Sequence, residues 1–486
     1  MRSLNIFLKE RPLKMICFGF SSGLPILLVF STLSVWLVKA GINRSTITLF
    51  SWAGFAYAFK YLWSPLVDNY RLPILKRFGH RKSWLFLSQV LIIFALILTS
   101  FTDPQNNLFF TALFITLLAF FSATQDILID AFRIESAPQS LQGPLSSMYI
   151  AGYRIAMLVA GAGSLWLAAL FGTETYNQDV WKKVYLLMSI FMLVGIFATI
   201  SSEEPKIRKN LKKDNHFKFL LTIFLAVIGF ILLYSIINNP YEKSEIFLSF
   251  IFSVARLIIC FIFAFFIVNL LILTKFTSKQ KISRSYLSPI INFLTRYGKF
   301  AVLILLLISL YRIADVVMGV MANIFYLEKG YKISEIATFS KFFGVFATIF
   351  GGFIGGYCSY RFGTMKALFF GALIAALSNL LFAWLAVSPI SIDFLIAVIT
   401  ADNISSGFAG AAFVIYLSGL TSVKFTATQY ALFSSIMLFL PKLIAGYAGS
   451  WVEVMGYAYF FSFTAFLGIP VLFLIIWIGR VAPVKN

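Results

Sequence analysis

Fourteen apolar runs, separated by short polar turns, dominate this sequence. Within hydrocarbon every backbone N–H and C=O must find a partner inside the protein, which a helix achieves alone and an open strand does not. About 20 apolar residues suffice for one helical crossing. The runs fall at 15–38, 46–67, 84–101, 109–131, 145–171 and 184–201, then 217–237 and 246–274, then 300–327, 335–359, 366–387, 391–417, 426–450 and 457–479. The predicted fold is an all-α polytopic membrane protein with fourteen transmembrane helices. Composition agrees: 60% of residues are hydrophobic and 12% charged, against about 45–50% and 25% in soluble domains. No polar stretch is long enough for a soluble catalytic domain. The first run lacks a small-residue cleavage site and is too long for a signal core, so it reads as a retained span.

A net charge of +21 would suggest nucleic acid in a soluble domain. Here the cations follow the loops instead. With the N-terminus in the cytoplasm, 27 of the 40 Lys and Arg fall in inside segments, 7 in outside segments and 6 within spans. That bias predicts both termini cytoplasmic and the lipid bilayer, not nucleic acid, as the partner. Cys17, Cys260 and Cys358 have no paired spacing and support neither a disulfide framework nor a metal site. His80 and His216 lie in polar loops, so any proton coupling must run through carboxylates. No metal or cofactor is expected, and no catalytic constellation of an enzyme is present in a sizeable polar segment.

One span carries an unusual polar face. Asp126, Asp130 and Arg133 recur at i, i+4 and i+7, which stacks them on one side of a helix. Ionised groups at membrane depth are costly and usually line a cavity or pair with one another. Desolvation favours a carboxyl's neutral form, so such a group can take up a proton on one side and release it on the other.

The spans group as six, two and six. This predicts a first half over 1–201, a basic linker with two extra helices over 202–299, and a second half over 300–486. A weak repeat supports the division. Ser64-Pro65-Leu66-Val67-Asp68-Asn69-Tyr70-Arg71, then Gly79-His80-Arg81-Lys82, follows the second span; Gly356-Tyr357-Cys358-Ser359-Tyr360-Arg361-Phe362-Gly363, then Lys366, follows the tenth. Both resemble the loop motif G-x-x-x-D-R-x-G-R-R of the major facilitator superfamily. Ser64 replaces the first glycine, and Tyr360 replaces the acid in the second copy. Two such halves would rock about a central site. The inserted pair reads as a lipid-facing hairpin without substrate contact, with Arg256 snorkelling or paired.

Further segments point to a narrower family. They are Gly19-Phe20-Ser21-Ser22-Gly23-Leu24-Pro25, Lys60-Tyr61-Leu62-Trp63-Ser64-Pro65-Leu66-Val67-Asp68, Ala123-Thr124-Gln125-Asp126-Ile127-Leu128-Ile129-Asp130-Ala131, Gly152-Tyr153-Arg154, and Phe425-Thr426-Ala427-Thr428-Gln429-Tyr430-Ala431-Leu432. Together they resemble the muropeptide permease (AmpG-type) family across essentially the whole chain. The resemblance implies a fourteen-helix facilitator-type transporter of the Gram-negative inner membrane. It also implies proton-driven uptake of N-acetylglucosaminyl-1,6-anhydro-N-acetylmuramyl peptides for cell-wall recycling. In some bacteria that import feeds β-lactamase induction. A related branch carries acetyl-CoA, so family and substrate are separate questions.

Against that background the polar residues take candidate roles. Asp126, Asp130, Asp315 and Asp402 are expected to couple protons. Gln125, with donor and acceptor, suits a sugar hydroxyl or acetamide, or an interhelical hydrogen bond. Tyr153, Arg154, Arg312, Asn403 and Lys442 complete the expected substrate set. Arg154 is expected to pair with Asp126 or Asp130, or to meet a peptide carboxylate. Lys60 would attract an anion or neutralise Asp68. Lys60, Asp68, Arg71, Arg81, Arg133 and Arg361 form the expected loop and gating group. Trp36, Trp63, Tyr153 and Tyr430 could stack on pyranose faces, although aromatics at helix ends usually serve the membrane interface. Lys341 is expected to snorkel. The expected partners are a small glycopeptide and protons, bound by a monomer; the alternative is a facilitator for another solute, such as an acetyl-CoA-like anion or a sugar.

Overall fold

A computed structural model describes residues 10–42, 50–72, 78–172, 176–205, 217–238, 240, 246–331, 335, 339, 342–445 and 447–481. Nearly all are helical, and no strand occurs among the described residues. The first bundle comprises α1 (Glu10–Lys39, interrupted at Phe30), a segmented stretch from Phe50 to Asn69, α2 (His80–Ser100), α3 (Leu108–Ser136), α4 (Gln142–Phe171) and α5 (Gln178–Ser201). A hairpin of α6 (Phe217–Ile236) and α7 (Ile246–Leu273) follows, then a short linker helix, α8 (Ser288–Tyr297). The second bundle holds α9 (Ala301–Leu310), α10 (Ile313–Lys329), α11 (Gly344–Phe362), α12 (Thr364–Val387), α13 (Ile392–Leu420), α14 (Thr426–Ala445), α15 (Ala448–Phe466) and α16 (Ile469–Val481).

Eleven helices among the described residues are long and apolar enough to cross a membrane, with Leu221–Ile236 as a shorter apolar helix. The predicted count of fourteen is therefore not reproduced. The run expected at 46–67 lies partly outside the described residues, and its remainder breaks into Phe50–Gly54, Phe55–Ala58, Lys60–Leu62 and Ser64–Asn69. Pro65 opens the last piece and has no N–H to extend the preceding turn. In α11 the glycines 351, 352, 355 and 356 and the Ser359-Tyr360-Arg361 end dilute an otherwise apolar run. Lys341 lies outside the described residues.

Each bundle has its own core. In the first, Trp36 stacks on Trp181 at 5.8 Å, surrounded by Leu28, Ile115 and Tyr185. Trp36 is thereby sealed in packing and cannot stack on a sugar. In the second bundle Phe461 packs T-shaped against Phe325 and tilted against Phe382, with centroids 5.0 and 5.2 Å away. Outward faces carry exposed Phe197, Phe265 and Leu273, as a lipid-facing surface requires.

Glycine allows the closest helix crossings, as is usual where membrane helices meet. A Cβ on Gly19 would lie 2.0 Å from the carbonyl oxygen of Tyr149, and one on Gly152 would lie 2.0 Å from that of Ile16. Helices α1 and α4 thus touch backbone to backbone. The two bundles meet at α4 and α11. There a Cβ on Gly143 would lie 2.8 Å from the Gly356 carbonyl oxygen, and Ser147 Oγ donates to the Gly352 carbonyl at 2.9 Å.

The hairpin, expected to face lipid without substrate contact, touches both bundles. Phe59 meets Phe230 and Phe261 at 6.0 and 6.4 Å, and Phe261 meets Phe439 of α14 at 6.5 Å. Tyr447 Oη donates to Ser253 Oγ at 3.1 Å. Arg256 is paired: its guanidinium lies 3.6 Å from the Tyr234 ring centroid and donates to the Tyr234 carbonyl.

Candidate functional site

Two polar layers interrupt the apolar packing between the bundles. The first lies at the end where the turns after α3 and α13 emerge. Its centre is Arg81, 1% exposed. Arg81 reaches Asp68 Oδ1 at 2.7 Å and makes a bidentate contact with Glu135 at 2.7 and 3.0 Å. Such a planar fork matches a carboxylate in geometry as well as charge. Asp68 then crosses to the other bundle: its Oδ2 accepts from Thr428 N and Thr428 Oγ1, both at 3.0 Å. The N-terminus of α2 is held by Glu204, which accepts from Arg81 N at 2.8 Å and Lys82 N at 3.1 Å.

Arg133 makes the second crossing. It donates to Gln142 Oε1 at 3.2 Å, Ser146 Oγ at 2.9 Å and Ser418 Oγ of the second bundle at 2.9 Å. It also pairs with Asp130 at 3.3 Å and lies 5.5 Å from the ring centroid of Tyr430. Tyr430 is therefore a cation–π partner of Arg133 in this packing. The neighbouring Gln429 ties α14 to the linker helix, donating to the Pro289 carbonyl at 2.8 Å and accepting from Arg296 at 3.1 Å.

The second layer lies deeper along the bundles. Ser22 of α1 donates to Asp126 Oδ1 and lies 2.8 Å from Tyr149 Oη. Lys60 Nζ stands 3.9 Å from Asp130 Oδ2 and within electrostatic reach of Asp126. Tyr57 and Tyr153 also feel the Asp126 charge. Across the interface, Arg312 pairs with Asp315 one turn away on α10. Asp402 of α13 faces this pair, and one of its carboxylate oxygens is buried with no hydrogen-bond partner among the described residues. Arg154 of the first bundle lies within electrostatic reach of Arg312, Asp315 and Asp402. Four acids, two guanidiniums and Lys60 thus gather around a seam flanked by tyrosines.

Several expected placements need correction. Arg154 does not pair with Asp126 or Asp130: it points toward the second bundle, its recorded hydrogen bond going to Met157 Sδ at 3.7 Å, while Asp130 is taken by Arg133 and Lys60. Lys60 does not neutralise Asp68, which Arg81 already holds. Gln125 is fully buried and donates to the Ser21 carbonyl at 2.9 Å, joining α3 to α1 away from any open surface. Asn403 spends both ends of its amide in packing, accepting from Thr348 Oγ1 at 2.9 Å and donating to the Ile399 carbonyl at 2.8 Å. Trp63 donates to Thr124 Oγ1 at 3.0 Å. Lys442 follows Pro441 on α14 with its side chain exposed, and Arg71 and Arg361 are exposed at the turns of their bundles. No group of His, Cys, Asp and Glu able to hold a metal occurs among the described residues.

The pairing also reveals residues that spacing alone did not single out: Ser22, Glu135, Tyr149, Ser418 and Thr428. Ser22 and Thr428 lie inside the segments that carry the family resemblance, so the signal was present without a role attached.

The profile of the Major Facilitator Superfamily matches residues 13–440. The chain is 33% identical over 479 residues to the Rickettsia conorii protein named "Putative transporter AmpG 4", covering 99% of each. It is 28% identical over 474 residues to the "Anhydromuropeptide permease" of Escherichia coli K12, covering 97% of this chain and 80% of that one. Among solved structures it is similar to the proton:xylose symporter XylE (TM-score 0.62, 12% identity, 99% of this chain and 96% of that one). It is also similar to FucP in the outward conformation (TM-score 0.61, 11% identity, 97% and 99%). At those identities the two structures speak for the fold.

Proposed function

The chain belongs to the muropeptide permease (AmpG) family of the Major Facilitator Superfamily, and on that premise we propose that it imports anhydromuropeptides together with protons by alternating access. The observation that carries this reading is the similarity to the Escherichia coli anhydromuropeptide permease along 97% of the chain. The deeper polar layer supports it chemically. An anhydromuropeptide bears carboxylates, amides and sugar faces. Arg154 and Arg312 supply guanidiniums for the carboxylates, and Tyr149 and Tyr153, with ring centroids 6.1 Å apart, supply flat surfaces and hydroxyls. A coenzyme A conjugate would call for more cations than Arg154, Arg312 and Lys60 against four acids.

In this mechanism Asp126 and the Asp315–Asp402 pair carry the proton. Protonation of Asp126 weakens its tie to Ser22 and its attraction to Lys60, loosening α3 against α1. Release of the proton on the opposite side resets the tie. The loop-end layer is the barrier on one face. With the N-terminus in the cytoplasm, that face is the inner one, and the conformation is closed inward. Inward opening then requires Asp68 to leave Thr428 and Arg133 to leave Ser418. The site works as a monomer in the bacterial inner membrane, with both termini cytoplasmic.

The test is uptake of labelled N-acetylglucosaminyl-anhydromuramyl tripeptide by proteoliposomes, with and without an imposed inward proton gradient. Gradient-dependent accumulation, competed by the unlabelled disaccharide, is the expected result. No uptake by folded protein overturns the substrate assignment, and uptake indifferent to the gradient overturns the coupling.

A further inference from the structure

The inserted hairpin has a feature that the transport reading does not use. Where α7 ends, the chain folds back against the start of α6 and encloses a cleft of about 500 Å³. Lys218, Lys275 and Lys279 line it together with Phe219, Phe276 and Ser278, and no acidic residue does. None of the three lysines pairs with an acid among the described residues. Lys218 Nζ sits 5.6 Å from the Phe276 ring centroid, which holds one cation at the cleft wall.

The turn that brings the lysines together is built for that shape. Lys275 has φ +56, a left-handed conformation uncommon for a residue with a side chain. The next two backbone N–H groups, those of Phe276 and Thr277, both donate to the Leu271 carbonyl at 3.1 and 3.2 Å. The chain therefore wraps the end of α7 and directs residues 275–279 around the cleft. Phe219 closes the inner side, stacked on Tyr286 at 5.9 Å. Beyond the cleft, Phe224, Leu270 and Leu273 lie exposed on the outer faces of α6 and α7. A cationic cleft at the base of a lipid-exposed apolar wall matches the two ends of one kind of molecule. Basic pockets between membrane helices recognise acidic headgroups in this way. The sequence adds to the field: six Lys and Arg lie in 206–218 and six in 275–299, the two segments that flank the hairpin.

We propose that this cleft binds the phosphate headgroup of an anionic phospholipid, held by Lys218, Lys275 and Lys279, with the acyl chains laid along α6 and α7. A soluble phosphate would leave the apolar wall uncovered, and a zwitterionic headgroup would bring its own cation among three lysines.

The experiment uses the full-length protein in detergent, offered equimolar dioleoylphosphatidylglycerol and dioleoylphosphatidylcholine, with retained lipid counted by native mass spectrometry. The wild type is expected to retain the phosphatidylglycerol in more than tenfold preference. Each lysine removed should weaken retention about fivefold, so a Lys218→Ala/Lys275→Ala/Lys279→Ala variant should lose it on the order of a hundredfold. The corresponding triple Lys→Arg variant should retain it, and so should Lys182→Ala/Lys183→Ala, changed elsewhere on the molecule. Equal retention of the two lipids by the wild type overturns the proposal without recourse to any variant. So does equal loss in the Lys182/Lys183 control, or displacement of the lipid by matched concentrations of inorganic phosphate, which would mark a site for a soluble anion.

Discussion

Asp68→Asn should unlatch the two bundles. Arg81 demands an acceptor at Oδ1, 2.7 Å away, so the new amide must turn its NH2 toward Thr428. The bond from Thr428 N at 3.0 Å is then lost, donor facing donor, while Thr428 Oγ1 can turn to accept from the amide, so its bond to a carboxylate becomes a neutral one. Hydrogen bonds to a charged group contribute about 1.5–3 kcal/mol and neutral ones about 0.5–1.5 kcal/mol, so the latched conformation loses roughly 2–4 kcal/mol. The equilibrium between access states should move by on the order of thirtyfold to a thousandfold. Thr428→Val removes one of the two donors, and should move the equilibrium the same way by roughly ten- to a hundredfold. Spin labels at the exposed positions 71 and 361, one on each bundle, report the change when Cys17, Cys260 and Cys358 are replaced by Ala. The wild type should give one short distance by pulsed electron paramagnetic resonance. In Asp68→Asn a longer distance should dominate, with Thr428→Val in between. An unchanged distribution in monodisperse, helical Asp68→Asn protein would refute the latch, as would a larger shift in Thr428→Val than in Asp68→Asn.

Three further outcomes are expected. Asp126→Asn should abolish gradient-driven accumulation in proteoliposomes while leaving membrane insertion and helicity intact; normal accumulation by a well-expressed variant would remove Asp126 from proton coupling. Arg154→Gln should raise the KM for a tripeptide-bearing substrate about tenfold or more, and change that for the peptide-free disaccharide less, since a guanidinium–carboxylate pair contributes roughly twice a neutral bond; equal effects on both would place Arg154 outside the peptide contact. Gly152→Ala should destabilise the first bundle by about 1–3 kcal/mol, because its Cβ would meet the Ile16 carbonyl oxygen at 2.0 Å, whereas Gly319→Ala and Gly449→Ala, with open space around the added methyl, should be neutral; thermal unfolding followed by fluorescence-detected size exclusion distinguishes the three.

The fold was legible wherever one span is one uniform apolar run. The 29-residue helices Leu108–Ser136 and Ile392–Leu420 needed nothing beyond hydropathy and length. Legibility failed where chain chemistry interrupts the run without making it polar, as at Pro65, or where glycines trade side-chain hydropathy for close packing, as in α11. The polar site divides in the same way. Asp126, Asp130 and Arg133 stand out because a periodic stripe in an apolar helix is local information. Their partners do not, because Ser22 lies 104 residues from Asp126, and Thr428 lies 360 residues from Asp68. Contacts at such separations leave no spacing to read. Gln125 shows the converse: its chemistry suits a ligand, yet it is sealed against the Ser21 carbonyl of α1, beside the Ser22 that holds Asp126.

The hairpin over the seam also has a mechanical meaning. Hydrogen bonds fasten it to the second bundle through Tyr447 and Ser253, whereas its contacts with Phe59 of the first bundle are ring against ring. Directional bonds resist sliding, because a small displacement breaks them; aromatic faces tolerate it, since one edge contact is exchanged for another at little cost. If the bundles rock as proposed, the hairpin would travel with the second and glide over the first, a greased bearing that would keep lipid tails out of the joint throughout the stroke.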